Sequence, residues 1–323
     1  MRTPFCDLIG IEVPIMLAPF GPWAQVGLAA AVCNAGALGS VGTAVREPAE
    51  LRRQWEQLRE LTDRPFAINH TGRPFDPAVF DEILAARPAV VSFHLGVPAA
   101  RIAEAHSVGA RWIQQVGDRR GAELALEAGA DVLVAQGWEA GGHAGWVGTM
   151  VLVPQLVDLA GEVPVLAAGG IADGRGVAAA LALGAQGVLL GTRFLASTEM
   201  DIDPAWKGRI LAADATEAVK VTHSEQVLPP FTLDLPPGPP PAPRALRTPL
   251  VDQLAADPGA VDADEFRATF LADVRANRGH ESLPFTGQSA ALVRDIAPAA
   301  EIISRLLTQA ETALADARRA VSG

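Results

Sequence analysis

The stretch from Leu183 to Gly191, LGAQGVLLG, has a near-copy upstream from Glu127 to Ala135, EAGADVLVA. Each reads as the end of an alanine-rich helix, a Gly-Ala turn and a short apolar strand. A helix that feeds directly into a buried strand, twice over, is the repeating unit of an α/β fold with a parallel sheet. Working outward, similar apolar runs recur: PIMLAPF from Pro14, ALGSVGTA from Ala37, PFAINH from Pro65, AVVSFHLG from Ala89, RWIQQVG from Arg111, DVLVAQG from Asp131, VPVLAAGG from Val163 and QGVLLGTRFL from Gln186. These make eight strand candidates before residue 196. They are continuously apolar, not alternating, as expected of strands covered on both faces.

The intervening helices are legible. Pro48 to Asp63 carries Leu51, Trp55, Leu58 and Leu61 at helical spacing, with Pro48 suited to a first turn. Pro77 to Arg87 carries Val79, Phe80, Ile83 and Leu84. Arg119 to Ala128 and Arg175 to Leu183 are alanine-rich and run into Gly129 and Gly184, apt C-terminal caps. Eight such units predict a closed (β/α)8 TIM barrel. The rival is an open doubly wound sheet, which more often shows G-x-G-x-x-G after its first strand; APFGPWAQ does not fit that pattern. After Phe194 the pattern changes. Asp201 to Glu225 reads as helical, Leu228 to Pro243 as a proline-dense arm, 250–278 as helical again, and Ile296 to Val321 as a long amphipathic helix. The expected organisation is a barrel from residues 1–200 plus about 286–323, with a helical and proline-rich insertion or lid over about 201–285.

Composition excludes several classes. Hydrophobic residues make up 49% and aromatics 5%, so the core is aliphatic. A net charge of −11 argues against general nucleic-acid or anionic-membrane binding, both of which need clustered positive charge. Cys6 and Cys33 are too few for a disulfide framework or a metal cluster and read as thiols in a reducing, cytoplasmic setting. The start, MRTPFCDLIGIEV, lacks the apolar core of a signal peptide, and no run approaches the ~20 apolar residues of a membrane span.

In a barrel the chemistry sits at the C-terminal ends of the strands. Ala18 to Phe20, Asn69, His70, His94, Gln115, Gln136, Gly141 to His143, Gly169, Gly170 and Gly191 to Arg193 fall there. AGGIADGRG from Ala168 and LGTRF from Leu190 place glycines before helix starts on successive units, the makings of a phosphate pocket, although a glycine pair can also simply turn the chain. The P-loop pattern is absent, so a phosphorylated cofactor suits better than a nucleoside triphosphate. In AQGWEAGGHAG, residues 135–145, His143 sits in a glycine-rich loop facing the barrel mouth and is the leading acid/base candidate. The bland alternative is a hydrogen-bonded structural histidine. His94 and His70 are lesser candidates for a direct role, whereas His106, His223 and His280 read as structural. Asn69 and Gln136 could hydrogen-bond the amide edge of a heterocycle.

PIMLAPF, PFAINH, AQGWEAGGHAG, VPVLAAGGIADGRG and GAQGVLLGTRFLAS occur in this order and resemble the flavin-dependent nitronate monooxygenases, formerly 2-nitropropane dioxygenases. The resemblance spans roughly residues 10–210, with a weaker stretch at GQSAALVRDI from Gly287. NADH:quinone reductases and flavin-dependent enoyl-acyl-carrier-protein reductases share the same barrel, so the motifs are less specific for the reaction. The resemblance implies FMN in the barrel mouth, with Gly169, Gly170, Gly191 and Thr192 at its phosphate. Ala18, Pro19, Phe20, Asn69, Gln115, Gln136, Gly141, Gly142, Leu189 and Leu190 complete the implied cofactor set, and His143 matches the catalytic histidine. The implied reaction is oxidation of an alkyl nitronate or nitroalkane by O2 to a carbonyl compound and nitrite, without NAD(P)H or metal. An NAD(P)H-dependent FMN reductase and a flavin-binding barrel without catalysis are the rivals. The proline run departs from the family pattern. Trp138 and Trp146 flank the histidine loop and Phe20 and Trp23 follow strand one, which predicts a bulky apolar pocket. The acidic surface and apolar last helix permit a homodimer.

Overall fold

The computed structural model describes residues 1–23 and 25–322. Among the described residues, eleven strands follow one another: β1 (Ile15–Leu17), β2 (Gly39–Gly42), β3 (Phe66–Thr71), β4 (Val90–His94), β5 (Arg111–Val116), β6 (Val132–Gln136), β7 (Gly142–Ala144), β8 (Val165–Ala168), β9 (Gly187–Leu190), β10 (Ala218–Lys220) and β11 (Ala242–Leu246). Eight of them form one parallel sheet in the order β1-β9-β8-β6-β5-β4-β3-β2. The sheet closes on itself where Met16 lies beside Leu38. There the Leu17 N–H donates to the Leu38 carbonyl and the Leu38 N–H to the Ile15 carbonyl, both at 2.9 Å. The fold is a TIM barrel.

The continuous apolarity of the strands follows from this closure. Successive side chains point to opposite faces, so Leu189 joins Met16, Ala67, Ile113 and Leu166 inside the barrel. Its neighbour Leu190 joins Leu17, Ile68 and Leu133 against the outer helices. A short helix, Pro4–Ile9, stoppers the N-terminal end of the barrel with Phe5, Cys6 and Ile9, which pack into the same interior cluster. The helices that follow the strands end close to where the sequence places them: Pro48–Leu61, Pro77–Ala86, Arg119–Glu127 and Gly174–Ala182.

The eighth outer helix comes late. After β9 and the single turn Thr192–Leu195 the chain leaves the barrel, and it returns only with Ala299–Ser322. That helix packs against both Gly174–Ala182 and Val26–Asn34, filling the slot between the last and first units. In the intervening segment, the helix expected over Asp201 to Glu225 is shorter, Pro204–Ala212. Beyond it Asp214 and Glu217 cap a tight turn reciprocally, and β10 pairs with β11. β11 itself emerges from the end of the proline-dense arm. The segment has an apolar cluster of its own, with Val221, Leu228, Ala245, Leu254 and Leu283 buried. Among the described residues, no helix is long and apolar enough to cross a membrane.

The seat of the last helix depends on Gly174. A Cβ there would meet Gln309 Cβ at 2.3 Å and the Ala310 nitrogen at 2.4 Å. Gly174→Ala should therefore lower stability by about 1–3 kcal/mol through overpacking. Gly27→Ala, where a Cβ meets nothing within 4 Å, should instead be neutral or gain about 0.5–1 kcal/mol of helix propensity. Urea unfolding of the two variants decides it; equal midpoints would mean that the final helix is not tightly seated.

Candidate active site

The C-terminal ends of the barrel strands surround a cavity of about 270 Å³. Its wall includes Ala18, Pro19 and Phe20 after β1, Asn69 and Thr71 on β3, His94 on β4, Gln115 on β5 and Gln136 on β6. Gly141, Gly142 and His143 on or beside β7, Gly169 after β8, and Leu189, Gly191 and Thr192 around the end of β9 continue it. Two residues of the expected cofactor set do not line it. Leu190 faces the helical layer, because Leu189 faces inward. Gly170 lies against Glu139, whose Cβ is 3.6 Å from where a Cβ on Gly170 would stand. A second cavity of about 420 Å³ adjoins the first through His94, Leu95, Gln115 and Gln136 and is roofed by Pro236 and Pro239 of the proline arm.

The glycines around His143 serve close chain approach more than a bound ring. A Cβ on Gly141 would lie 2.7 Å from the Gly287 nitrogen, and one on Gly145 would lie 2.7 Å from the Gly117 carbonyl oxygen. The glycine-rich stretch is also not a simple loop. Gly142–Ala144 is β7, an antiparallel partner of β11, with His143 opposite Pro243. Together with β10 these strands make a small second sheet over the barrel mouth.

The side of the cavity at β8 and β9 suits an anion, although not in the way the helix starts suggested. Asp173 already accepts from the Arg175 and Gly176 N–H groups, so the first turn of Gly174–Ala182 is capped. Arg193 points away and donates to the Asp295 carbonyl at 2.9 Å and to its carboxylate at 3.0 Å. What remains is the Gly169-Gly170 turn, at φ 100° and 75°, with the hydroxyls of Thr192 and Ser289 in the cavity wall. Thr192 Oγ1 accepts from the Gly287 N–H at 2.9 Å, which ties the returning chain to this turn.

His143 Nε2 lies 2.9 Å from Arg73 Nη1. A guanidinium can only donate, so Nε2 carries the lone pair and Nδ1 the proton. Burial, with the cations Arg73 and Lys220 and the His94 ring nearby, holds His143 well below its usual pKa. It is neutral at pH 7. The ring stands edge-on to Phe231 and Phe285, with centroids 6.3 and 6.1 Å away. His94 is likewise neutral: burial pushes it down to about 4, against the opposing pull of hydrogen bonds to Gln136 and the His143 backbone.

His70 does not reach the cavity. Its Nε2 accepts from the Asp76 N–H at 3.1 Å, which leaves Nδ1 to donate to Thr43 Oγ1 at 2.7 Å. It is a satisfied structural histidine. Trp138 and Trp146 are also misplaced by the sequence reading. They pack on each other at 5.1 Å beside Lys220, outside the main cavity. The aromatic wall comes instead from Phe20 and Trp23 together with Trp206, Phe270 and Phe285. The last three and Ser289 follow the barrel strands, in a region whose path over the mouth the sequence does not reveal. Arg73 was overlooked, although a cation three residues past a strand-end histidine was there to be noticed.

The nitronate monooxygenase family profile matches residues 2–78 and 70–309. The chain belongs to the nitronate monooxygenase family. It is 33% identical to a nitronate monooxygenase of Paraburkholderia phytofirmans, over 94% of this chain and 94% of that protein. It is 38% identical, over 69% of this chain and 64% of the other, to the (3aS,4S,5R,7aS)-5-hydroxy-7a-methyl-1-oxo-octahydro-1H-indene-4-carboxyl-CoA dehydrogenase of Mycobacterium tuberculosis. The solved structure of FabK from Thermotoga maritima superposes with a TM-score of 0.86 at 34% identity, covering 98% of this chain and 99% of that one. The chain is thus an enzyme, an oxidoreductase of a flavin-using family.

The electrostatics of His70 set a measurable pH dependence. In the folded chain, burial lowers its pKa to about 4 from an ordinary 6.5. Between those values the unfolded chain binds the extra proton, so stability is full above the higher value and falls as pH drops toward the lower. The loss approaches a limit on the order of 3 kcal/mol. Urea unfolding at about pH 7.5 and about pH 5 should show wild type losing more stability than His70→Gln does; equal losses would show that His70 does not titrate this way.

Proposed function

We propose that this chain oxidises alkyl nitronates, or the parent nitroalkanes, with FMN and O2, giving a carbonyl compound and nitrite. The observation that carries this reading is a neutral, half-buried imidazole facing an apolar cavity at the position that matches the family's catalytic histidine. The residues present fit FMN. The turn at Gly169-Gly170, with Gly191, Thr192 and Ser289, offers a phosphate cradle beside β8 and β9. The backbone of Ala18 to Phe20 and the amides of Asn69, Gln115 and Gln136 offer a wall for a planar heterocycle; Asn69 Nδ2 is held by Ser92, donating to its carbonyl at 3.2 Å and its Oγ at 3.1 Å. When bound, the flavin would supply the electron acceptor for the substrate and the electron donor for O2.

The chain's own groups do the rest. His143 stays neutral at physiological pH, so it can take the α-proton of a neutral nitroalkane at Nε2, once that nitrogen is released, or hydrogen-bond a nitronate oxygen through Nδ1–H. Trp206, Phe270 and Phe285, all from the segment over 201–285, exclude water from the reacting atoms, which strengthens every polar contact inside. That segment acts as the lid of the site. The buried thiols of Cys6 and Cys33 support a reducing, cytoplasmic setting.

The second reading is an NAD(P)H-dependent reductase of quinones or enoyl thioesters. The adjoining chamber under the proline arm favours it, because a small nitronate does not need that space, and the coenzyme A thioester in the name of the mycobacterial relative points the same way.

Anaerobic mixing separates the two. Propyl nitronate alone should bleach the flavin of the holoenzyme, and NADH should not; the reverse result selects the reductase. His143→Asn should keep its FMN and lose roughly 10²–10⁴-fold in turnover. Unchanged turnover would remove His143 from the mechanism.

A further inference from the structure

Arg73 is the most unusual charge in the molecule. It is 8% exposed and forms part of the main cavity wall. Its Nε donates to the Pro229 carbonyl at 2.5 Å, its Nη1 to His143 Nε2 at 2.9 Å, and its carbon lies 4.2 Å over the Phe231 ring. Its Nη2 is buried and has no hydrogen-bond partner. Among the described residues, no carboxylate lies within ion-pair distance of it. Burial lowers its pKa only to about 10, with the Glu225 carboxylate pulling it the other way from beyond ion-pair distance, so it is charged at neutral pH. A buried guanidinium with no carboxylate in contact and an idle N–H is costly, on the order of several kcal/mol. Folds keep such a group where a ligand completes it.

The FMN phosphate is not that ligand. In the closed ring of eight strands β3 stands opposite β8. Arg73 follows β3, and the glycine turns that would take the phosphate follow β8 and β9, across the mouth.

We propose that Arg73 is the seat for an anionic substrate: a planar oxyanion, nitronate or carboxylate, accepts from Nη2, and this draws Nη1 off His143 Nε2. In the resting site Nη1 occupies the lone pair that would accept a proton. An oxyanion competes for the same guanidinium far better than a neutral imidazole does, since both partners of the new bond are charged. The incoming ligand therefore frees the base at the moment it is positioned. This deepens the nitronate reading by assigning the charged end of the substrate, and it also holds for any other anionic substrate of the site.

The test uses the FMN-loaded enzyme and ligands that do not react. Propionate and nitrate, titrated calorimetrically, should bind, and propionamide should not. Arg73→Gln should weaken propionate binding by roughly tenfold or more, and Arg73→Lys, which keeps the charge and loses the fork, should fall between. Equal binding of propionate and propionamide by the wild type would overturn the proposal, even if the glutamine variant fails to fold. So would Arg73→Gln enzyme that releases FMN but binds propionate as before. The proposal and the nitronate reading can fail separately. If the wild type leaves nitronate untouched but anion binding still depends on Arg73, the reaction is wrong and the seat stands. If Arg73→Gln oxidises nitronate with unchanged KM and kcat, the seat is wrong and the reaction stands.

Discussion

The strand that carries His143 has no place in the barrel, so its backbone must be paired from elsewhere. Buried N–H and C=O groups left without partners would not be tolerated in so apolar a setting. β11 supplies the pairing about a hundred residues downstream in sequence, opposite Gly142, His143 and Ala144. Two cations complete it, Arg244 buried and Lys220 half-buried. Lys220 Nζ donates to the carbonyls of Ala144, Ala242 and Gly145 at 2.6, 2.9 and 3.1 Å. Arg244 donates to the Trp138 carbonyl at 2.8 Å and to the Ala218 carbonyl at 2.5 Å. The segment that carries β10 and β11 is therefore more than a cover: without β11 the strand that carries His143 would have neither partner nor fixed position. Trp138 and Trp146 serve the same brace, since the Lys220 ammonium lies 5.2 and 5.3 Å from their ring centres.

The brace also sets the charge of the site. The chain carries a net −11, yet the cations around its barrel mouth include the buried Arg73 and Arg244 and the half-buried Lys220. Low dielectric lets these cations act at distances that surface charges could not. Burial is the main reason that His143 and His94 stay neutral, with Arg73 and Lys220 adding to it at His143 and Lys220 at His94, and the cations favour anions in the cavity of an acidic protein. Lys220 feels the same crowding: burial, with Arg244 beside it, pushes it down to about 7, while three carbonyl acceptors favour its charged form. A positive interior behind a negative surface selects small anions that can penetrate over large polyanions that cannot.

What was legible in the sequence was whatever repeats locally. The strand runs, the Gly-Ala turns and the helical stripes each show within a window of about ten residues, because hydrophobic periodicity is a local property, and they gave the barrel. Strand-end position then gave His143, Gln136, Gly169 and Gly191 as candidates. What stayed hidden depends on pairings far apart in the chain. Nothing in GGHAG announces a strand, since its partner Pro243 sits in a segment that reads as a proline-rich arm. Trp206 and Phe285 look like ordinary helix and loop residues until the chain folds back over the mouth. Trp138 and Trp146 differ from expectation for the complementary reason: they lie in the turns on either side of β7, and nearness in sequence to the histidine does not fix where a turn residue packs. His70 and His94 both end barrel strands, yet Asp76 and Thr43 claim the first and leave the second in the wall.

The two charged ends of the mouth give the site a direction. On the proposed reading, the glycine turns after β8 and β9 would take a phosphate on one side, and Arg73 after β3 an oxyanion on the other. A flat ring bound phosphate-first would then have its far edge toward Arg73 and His143, so that cofactor and substrate would meet there. The apolar span between them, Trp206, Phe270 and Phe285 above and Leu189 below, gives neither anion a reason to stop midway. Because that span is covered from the insertion, water does not screen one end from the other, and the electrostatic difference between the two ends persists at physiological salt. The same lid residues that exclude water thus also maintain the polarity that orients what binds.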